Sequence, residues 1–72
     1  MPKLPRDLSG HVIARALERA GFVETHQVGS HRTYRKGQLV TTVPMHRRVK
    51  TGTLRGILRD TGLSVGGFLE LI

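Results

Sequence analysis

The chain has 72 residues, no cysteine, and twelve Lys and Arg against five Asp and Glu, a formal net charge of +7. That length allows one small domain, 1–72, close to the size where a core is only just adequate. The lack of thiols excludes a disulfide framework and a thiolate zinc site. No apolar run reaches transmembrane length, and Met1-Pro2-Lys3-Leu4-Pro5-Arg6-Asp7 lacks the apolar centre of a signal peptide, so the expected location is the cytoplasm.

A small domain with this charge has a strong positive field, whose usual partners are nucleic acid, anionic membrane or an acidic protein. A membrane-surface binder needs a long basic amphipathic helix, and the sequence has none, so no membrane partner is expected. Nine of the twelve cations are Arg. Arg binds phosphate bidentately and stacks on bases, which favours nucleic acid. A GC-rich coding bias explains the Arg excess equally well, but not the net charge.

In chain order, Met1 to Leu8 hold two prolines and read as an extended lead-in. Ser9 is an N-cap residue. Val12, Ile13, Ala16, Leu17 and Ala20 follow at helical spacing, with Arg15, Glu18 and Arg19 outside, which predicts a first helix over Gly10 to Ala20. Leu8 and Ile13 flank the cap as a hydrophobic staple. Gly21 ends the helix in the left-handed conformation, with Phe22 folded back on Leu17 as in a Schellman motif. Phe22 to Val28 and His31 to Lys36 read as strands joined by Gly29-Ser30, where Gly supplies the positive φ of a type II′ turn. Gly37 marks a second turn. Leu39-Val40-Thr41-Thr42-Val43 is a β-branched third strand closed by Pro44.

A basic connection, Met45-His46-Arg47-Arg48-Val49-Lys50, leads to a second helix capped by Thr51 or a neighbour. Leu54, Ile57 and Leu58 form its apolar face, and Arg55 and Arg59 lie on another. Gly62 and Leu63 repeat the first terminator. Ser64 caps a last helix whose stripe is Phe68, Leu69 and Ile72. Gly66-Gly67 costs about 2 kcal/mol relative to alanine, which predicts that this helix is short or frayed. The order implies an α+β fold: a three-stranded antiparallel sheet with both main helices on one face and a short extra C-terminal helix.

With Gly29 and Ser30 as the turn, Val28 faces His31, Gln27 faces Arg32, His26 faces Thr33, Thr25 faces Tyr34, Glu24 faces Arg35 and Val23 faces Lys36. Strand alternation then puts Val23, Thr25, Gln27, Arg32, Tyr34 and Lys36 on the core side. A two-residue second turn adds Leu39, Thr41 and Val43 to that side. Glu24, His26, Val28, His31, Thr33 and Arg35 take the wet face, where Glu24 and Arg35 make a cross-strand ion pair.

His31 thus stands at the mouth of the hairpin, bracketed by Arg32, Arg35 and Lys36. Cleavage of RNA needs a base for the ribose 2′-hydroxyl, an acid for the leaving 5′-oxygen and cations for the charged phosphorane, and no metal. Histidine serves either proton-transfer role near neutral pH. Arg and Lys serve the electrostatic one. On spacing alone His31 is either such a catalyst or an ordinary polar residue beside a turn. His46, near the same end of the sheet, is either a second proton donor or phosphate ligand, or a loop histidine. His11 and His26 read as bystanders. Arg47, Arg48, Lys50, Arg55 and Arg59 are either a phosphate-gripping patch at the second helix's N-terminus or a solvated basic face. No pair of the four histidines has zinc-motif spacing, and there is no phosphate-binding glycine loop, so no metal or cofactor is expected.

Six stretches together resemble the HicA-type toxins (the YcfA-like family) of type II toxin–antitoxin systems. They are Leu4-Pro5-Arg6-Asp7-Leu8-Ser9-Gly10, Ala20-Gly21-Phe22, Gly29-Ser30-His31-Arg32, Val43-Pro44-Met45-His46, Gly52-Thr53-Leu54-Arg55 with Ile57-Leu58, and Thr61-Gly62-Leu63-Ser64 with Phe68-Leu69. They run in order over nearly the whole chain. The resemblance implies a double-stranded-RNA-binding-domain-like α-β-β-β-α fold and a ribosome-independent mRNA endonuclease inhibited by a HicB-type antitoxin. It assigns the catalytic histidine to His31. The residue reading itself adds His46 as the possible second catalytic or phosphate-binding group, and RNA contacts at Ser30, Arg32, Arg35, Lys36, Arg47, Arg48, Lys50 and Arg55. Two positions depart from the pattern: Gly66-Gly67, where polar helix formers are usual, and Val40, where a basic or polar residue is common. Two other readings stay open. One is a non-catalytic double-stranded-RNA-binding module, which does not need His31. The other is a protein-binding role in which the charge serves an acidic partner.

Overall fold

The computed structural model describes residues 3–72; Met1 and Pro2, the start of the expected lead-in, lie outside them. The elements are α1 (Gly10–Arg19), β1 (Val23–Val28), β2 (His31–Lys36), β3 (Leu39–Pro44), α2 (Thr51–Thr61) and α3 (Val65–Leu71). The strands form one antiparallel sheet in the order β1-β2-β3. α1 and α2 pack on one face of it, and the other face is open. This is the double-stranded-RNA-binding-domain-like α+β architecture that the sequence predicts, with α3 added.

Local chemistry explains most of the boundaries. Ser9 Oγ accepts the Val12 N–H at 3.2 Å. At the other end of α1 the Phe22 N–H donates to Leu17 O at 2.9 Å and the Gly21 N–H to Glu18 O at 3.0 Å. With Gly21 at a φ of 98° these bonds make the Schellman terminator. The helix stops one residue earlier than predicted, with Ala20 as its C-cap. The N-cap of α2 is Lys50, the neighbour of Thr51, and no side chain caps the helix. The lead-in is not extended throughout: it reverses at Asp7, whose φ is 61°, a conformation Asp tolerates better than most residues. Leu8 then pairs with Val49 in an isolated antiparallel bridge.

The core joins Ile13, Ala14, Ala16 and Leu17 of α1 to Phe22, Tyr34, Val43, Val49, Leu54, Ile57, Leu58 and Phe68. Phe68 explains why α3 forms despite its two glycines. Burying a phenylalanine contributes about 1.5–3 kcal/mol, which offsets the about 2 kcal/mol of the glycine pair. Ser64 Oγ caps this helix by accepting the Gly67 N–H at 2.9 Å, and Arg19 donates to Leu71 O at 2.5 Å. The helix is short, as expected, but its stripe is Val65, Phe68 and Leu71; Ile72 is exposed.

The sheet departs from the predicted register in one place. Val28, Gln27 and His26 face His31, Arg32 and Thr33 as expected, but a β-bulge between Glu24 and His26 then pairs Glu24 with Tyr34 and Val23 with Arg35. Thr25 is the extra residue, and its hydroxyl donates to Thr33 O at 3.3 Å. A bulge shifts every residue beyond it to the other face. Val23 is therefore on the open face, 66% exposed, and not in the core. Glu24 comes to the helix side and pairs with Arg32 at 3.6 Å, so the predicted Glu24–Arg35 ion pair does not form. The β2–β3 turn is Gly37-Gln38, and Leu39, Thr41 and Val43 do share the face of Tyr34.

Tyr34 ties the helix side together. Fully buried as a residue, it donates from its hydroxyl to Glu18 Oε2 at 2.9 Å and accepts from Arg32 at 3.4 Å. Burial pushes its phenol pKa above the ordinary value; Glu18 adds to the rise and Arg32 opposes it. Tyr34→Phe should lower stability by about 1–2 kcal/mol, at roughly 4–8 °C of Tm per kcal/mol. The folded protein holds the phenol proton more tightly than the unfolded chain. That contribution is fully present below the unfolded value of about pH 10 and is lost as pH rises through the higher folded value. Melting curves at about pH 9 and 11 should therefore fall further for wild type than for Tyr34→Phe; equal falls would remove the phenol from this account.

Candidate active site

The β1–β2 turn sets the first side chain. Gly29 has a φ of 59°, while Ser30 keeps an ordinary negative φ, as a type II′ turn requires. His31 follows as the first residue of β2, opposite Pro44 at the end of β3.

The chain leaving β3 is then held from two sides. The Met45 N–H donates to Ser30 O at 2.6 Å, and the Gly10 N–H donates to His46 O at 2.8 Å. Gly10 lies so close that a Cβ there would sit 2.3 Å from Pro44 O and 2.7 Å from Met45 Cα. No real side chain tolerates such a contact, so the start of α1 can seat this segment only through glycine. The His46 ring consequently meets that of His31 edge to face, with centroids 6.1 Å apart and planes at 65°. Ser30 Oγ lies 3.1 Å from His46 Nε2. A serine hydroxyl can donate to or accept from that nitrogen, and either bond fixes the ring's rotation.

The two exposed histidines line a cleft of about 400 Å³ with Thr42, Pro44, Arg48, Val49, Lys50 and Thr53. No carboxylate lines it. The cleft offers two groups able to give or take a proton and two cations beside them, which suits a phosphate undergoing proton transfer on either side. Among the described residues no three His, Cys, Asp or Glu side chains come together as a metal site.

The other expected cations are elsewhere. Arg32 is on the helix side, where its Nε donates to Gln27 Oε1 at 3.0 Å and its hydrogen bond to Tyr34 is the main cause of a raised pKa. Lys36 is at the far end of β2; its Nζ donates to Ala20 O at 2.7 Å and lies 5.9 Å from the centre of the Phe22 ring. Arg35 shares the face of His31 but stands four residues along, about 13 Å away. Arg47 is exposed in the connection and does not line the cleft. Arg55 lines a different groove, with Lys3, Arg6 and Arg59. Only Arg48 and Lys50 join the histidines. His11 and His26 are exposed outside the cleft.

Sequence reading missed Gly10 as a seat for His46, the Ser30 hydroxyl as its partner, and Thr42 and Thr53 as lining. Gly10 did carry a signal. Glycine in the first turn of a helix costs about 1 kcal/mol, and its place directly after an N-cap marks a close approach by another backbone.

The fold and cleft define a class: a small, strongly basic α+β protein of double-stranded-RNA-binding-domain-like architecture, with paired histidines at one end of its sheet. The family model for the HicA toxin of bacterial toxin–antitoxin matches residues 11–63, well over half of the chain. The chain belongs to that family: it is the toxin of a toxin–antitoxin system, and its partner is an antitoxin. The match begins in α1, contains both cleft histidines and ends before α3. No curated protein matches the chain.

Two substitutions separate the two restraints on His46. Gly10→Ala should cost about 1–3 kcal/mol by overpacking, although alanine is the better helix former. Ser30→Ala should leave stability within about 0.5 kcal/mol and release the ring. Thermal melting and the ring-nitrogen NMR spectrum check both; unchanged His46 resonances in Ser30→Ala would mean that the hydroxyl does not hold the ring.

Proposed function

We propose that the protein is an endoribonuclease that cuts mRNA without a metal ion, acts in the cytoplasm and is inhibited by a HicB-type antitoxin. The observation that carries this reading is the pair His31 and His46, 6.1 Å apart at their ring centres, in a cleft with Arg48 and Lys50. One imidazole takes the proton of the ribose 2′-hydroxyl, whose oxygen attacks the adjacent phosphorus. The P–O bond to the 5′-oxygen breaks, the second imidazole protonates that oxygen, and a 2′,3′-cyclic phosphate is left. His31 carries the essential transfer and His46 the complementary one. With Nε2 turned to Ser30, His46 keeps Nδ1 for the substrate. Arg48 and Lys50 hold the phosphorane's charge, and Arg47 adds to the field that draws RNA in. Membership of the toxin family supports the reading, because a toxin that destroys messages needs an inhibitor.

The test is mRNA cleavage in excess EDTA by wild type, His31→Ala and His46→Ala, with thermal melting of each. Wild type should cleave in EDTA and leave cyclic phosphate ends. Each histidine variant should lose about 10²–10⁴ in rate while its stability stays within about 0.5 kcal/mol of wild type. Complete inhibition by EDTA would overturn the metal-free chemistry. A folded His31→Ala that cleaves at full rate would move catalysis elsewhere. RNA binding without cleavage by wild type would leave the non-catalytic binding module as the better reading.

A further inference from the structure

A second cavity, larger than the histidine cleft, lies apart from it. It is a groove of about 1060 Å³ between the N-terminal lead-in, the outer side of α2 and the turn into α3. Four cations line it: Lys3, Arg6, Arg55 and Arg59. Among the described residues none of the four makes an ion pair, and no acidic side chain lines the groove. Its floor is aliphatic, from Leu4, Leu63 and Val65, which are half-buried and packed on the core. Lys3 and Arg6, on the lead-in before the turn at Asp7, line the groove together with Arg55 and Arg59 of α2.

We propose that this groove binds an acidic amphipathic peptide segment supplied by the antitoxin. Four unpaired cations around an aliphatic floor ask for a ligand with carboxylates at its edges and apolar side chains beneath. An amphipathic segment with apolar anchors at helical spacing has that pattern. Single-stranded nucleic acid is served less well, because it draws much of its affinity from bases stacked on aromatic rings, and no aromatic residue lines the groove. A second copy of this chain would bring like charge. Thr51 and Arg55 on this side of α2 and Thr53 in the cleft put the two sites on opposite sides of one helical turn. A partner covering the cleft can therefore extend a segment over the start of α2 into the groove. The proposal takes the partner from the reading above but does not need RNA cleavage to be correct.

The probe is a synthetic 14-residue peptide with Leu at helical spacing and Glu between, titrated into the ¹⁵N-labelled full chain. A peptide of equal charge with Gln for Leu, and a 2′-O-methyl RNA 12-mer, are the comparisons. The Leu/Glu peptide should shift amides of Lys3, Leu4, Arg6 and residues 55–65 and leave those of His31 and His46 in place. The Gln peptide should bind about tenfold more weakly or worse. Lys3→Glu with Arg6→Glu should weaken the Leu/Glu peptide by about tenfold or more. The same variant should leave mRNA cleavage within about twofold and the fold intact by melting. Peptide shifts at the histidine cleft, no shifts at millimolar peptide, or RNA shifting the groove in place of the peptide would each overturn the proposal. Cleavage measured on the same samples reports separately on the nuclease reading.

Discussion

The backbone of Gly10 lies against the end of β3, and the arrangement of the site depends on that contact. A side chain there would meet Pro44 O at 2.3 Å, so helix and strand can approach only through glycine. The approach allows the Gly10 N–H, one of the donors a helix N-terminus leaves unpaired, to bond His46 O. The first turn of α1 is thereby tied to the connection after β3. The Leu8–Val49 bridge continues the contact on the other side of Ser9. The six-residue basic connection is thereby held at both ends, and the His46 ring meets that of His31.

The distribution of the few acids gives the basic surface its form. Glu18 takes the Tyr34 hydroxyl, Glu24 pairs with Arg32, and Asp60 accepts from Thr41 at 3.0 Å. All three serve the helix-facing side of the sheet: Glu18 and Asp60 link α1 and α2 to the strands, and Glu24 links β1 to β2. Neither the histidine cleft nor the α2 groove is lined by a carboxylate. The positive field is thus not a uniform excess: Arg32 is offset by Glu24, whereas the cations lining the two cavities face no lining carboxylate. The bulge at Thr25 is part of this division, because it brings Glu24 within reach of Arg32.

The same bulge changes the open face of the sheet. It adds Val23 to Val28 and Val40, so three exposed valines share the face on which His31 stands. The cleft therefore lies at the end of a partly apolar surface and not of a purely polar one. A partner that covered the histidines would gain apolar contact there as well as charge complementarity.

The elements of the fold were legible in the sequence because their signals are local. Ser9, Gly21, Gly29, Gly37 and Gly62 act through the φ values and hydrogen bonds of their own neighbours, and the stripes of α1 and α2 follow from 3.6-residue periodicity. The family resemblance and His31 at the hairpin mouth were likewise legible from contiguous motifs. Three things were decided only in the tertiary structure. Alternation carries no mark of an extra residue, so the bulge that exchanges Val23 and Glu24 between faces stayed hidden. The division of the cations between cleft, helix side and groove depends on which face each strand and helix turns to its neighbours. His46 is the clearest case. Its sequence position puts it near His31, but its orientation comes from Gly10, far away in the chain, and from the Ser30 hydroxyl, and contacts between distant segments leave no periodic trace in either.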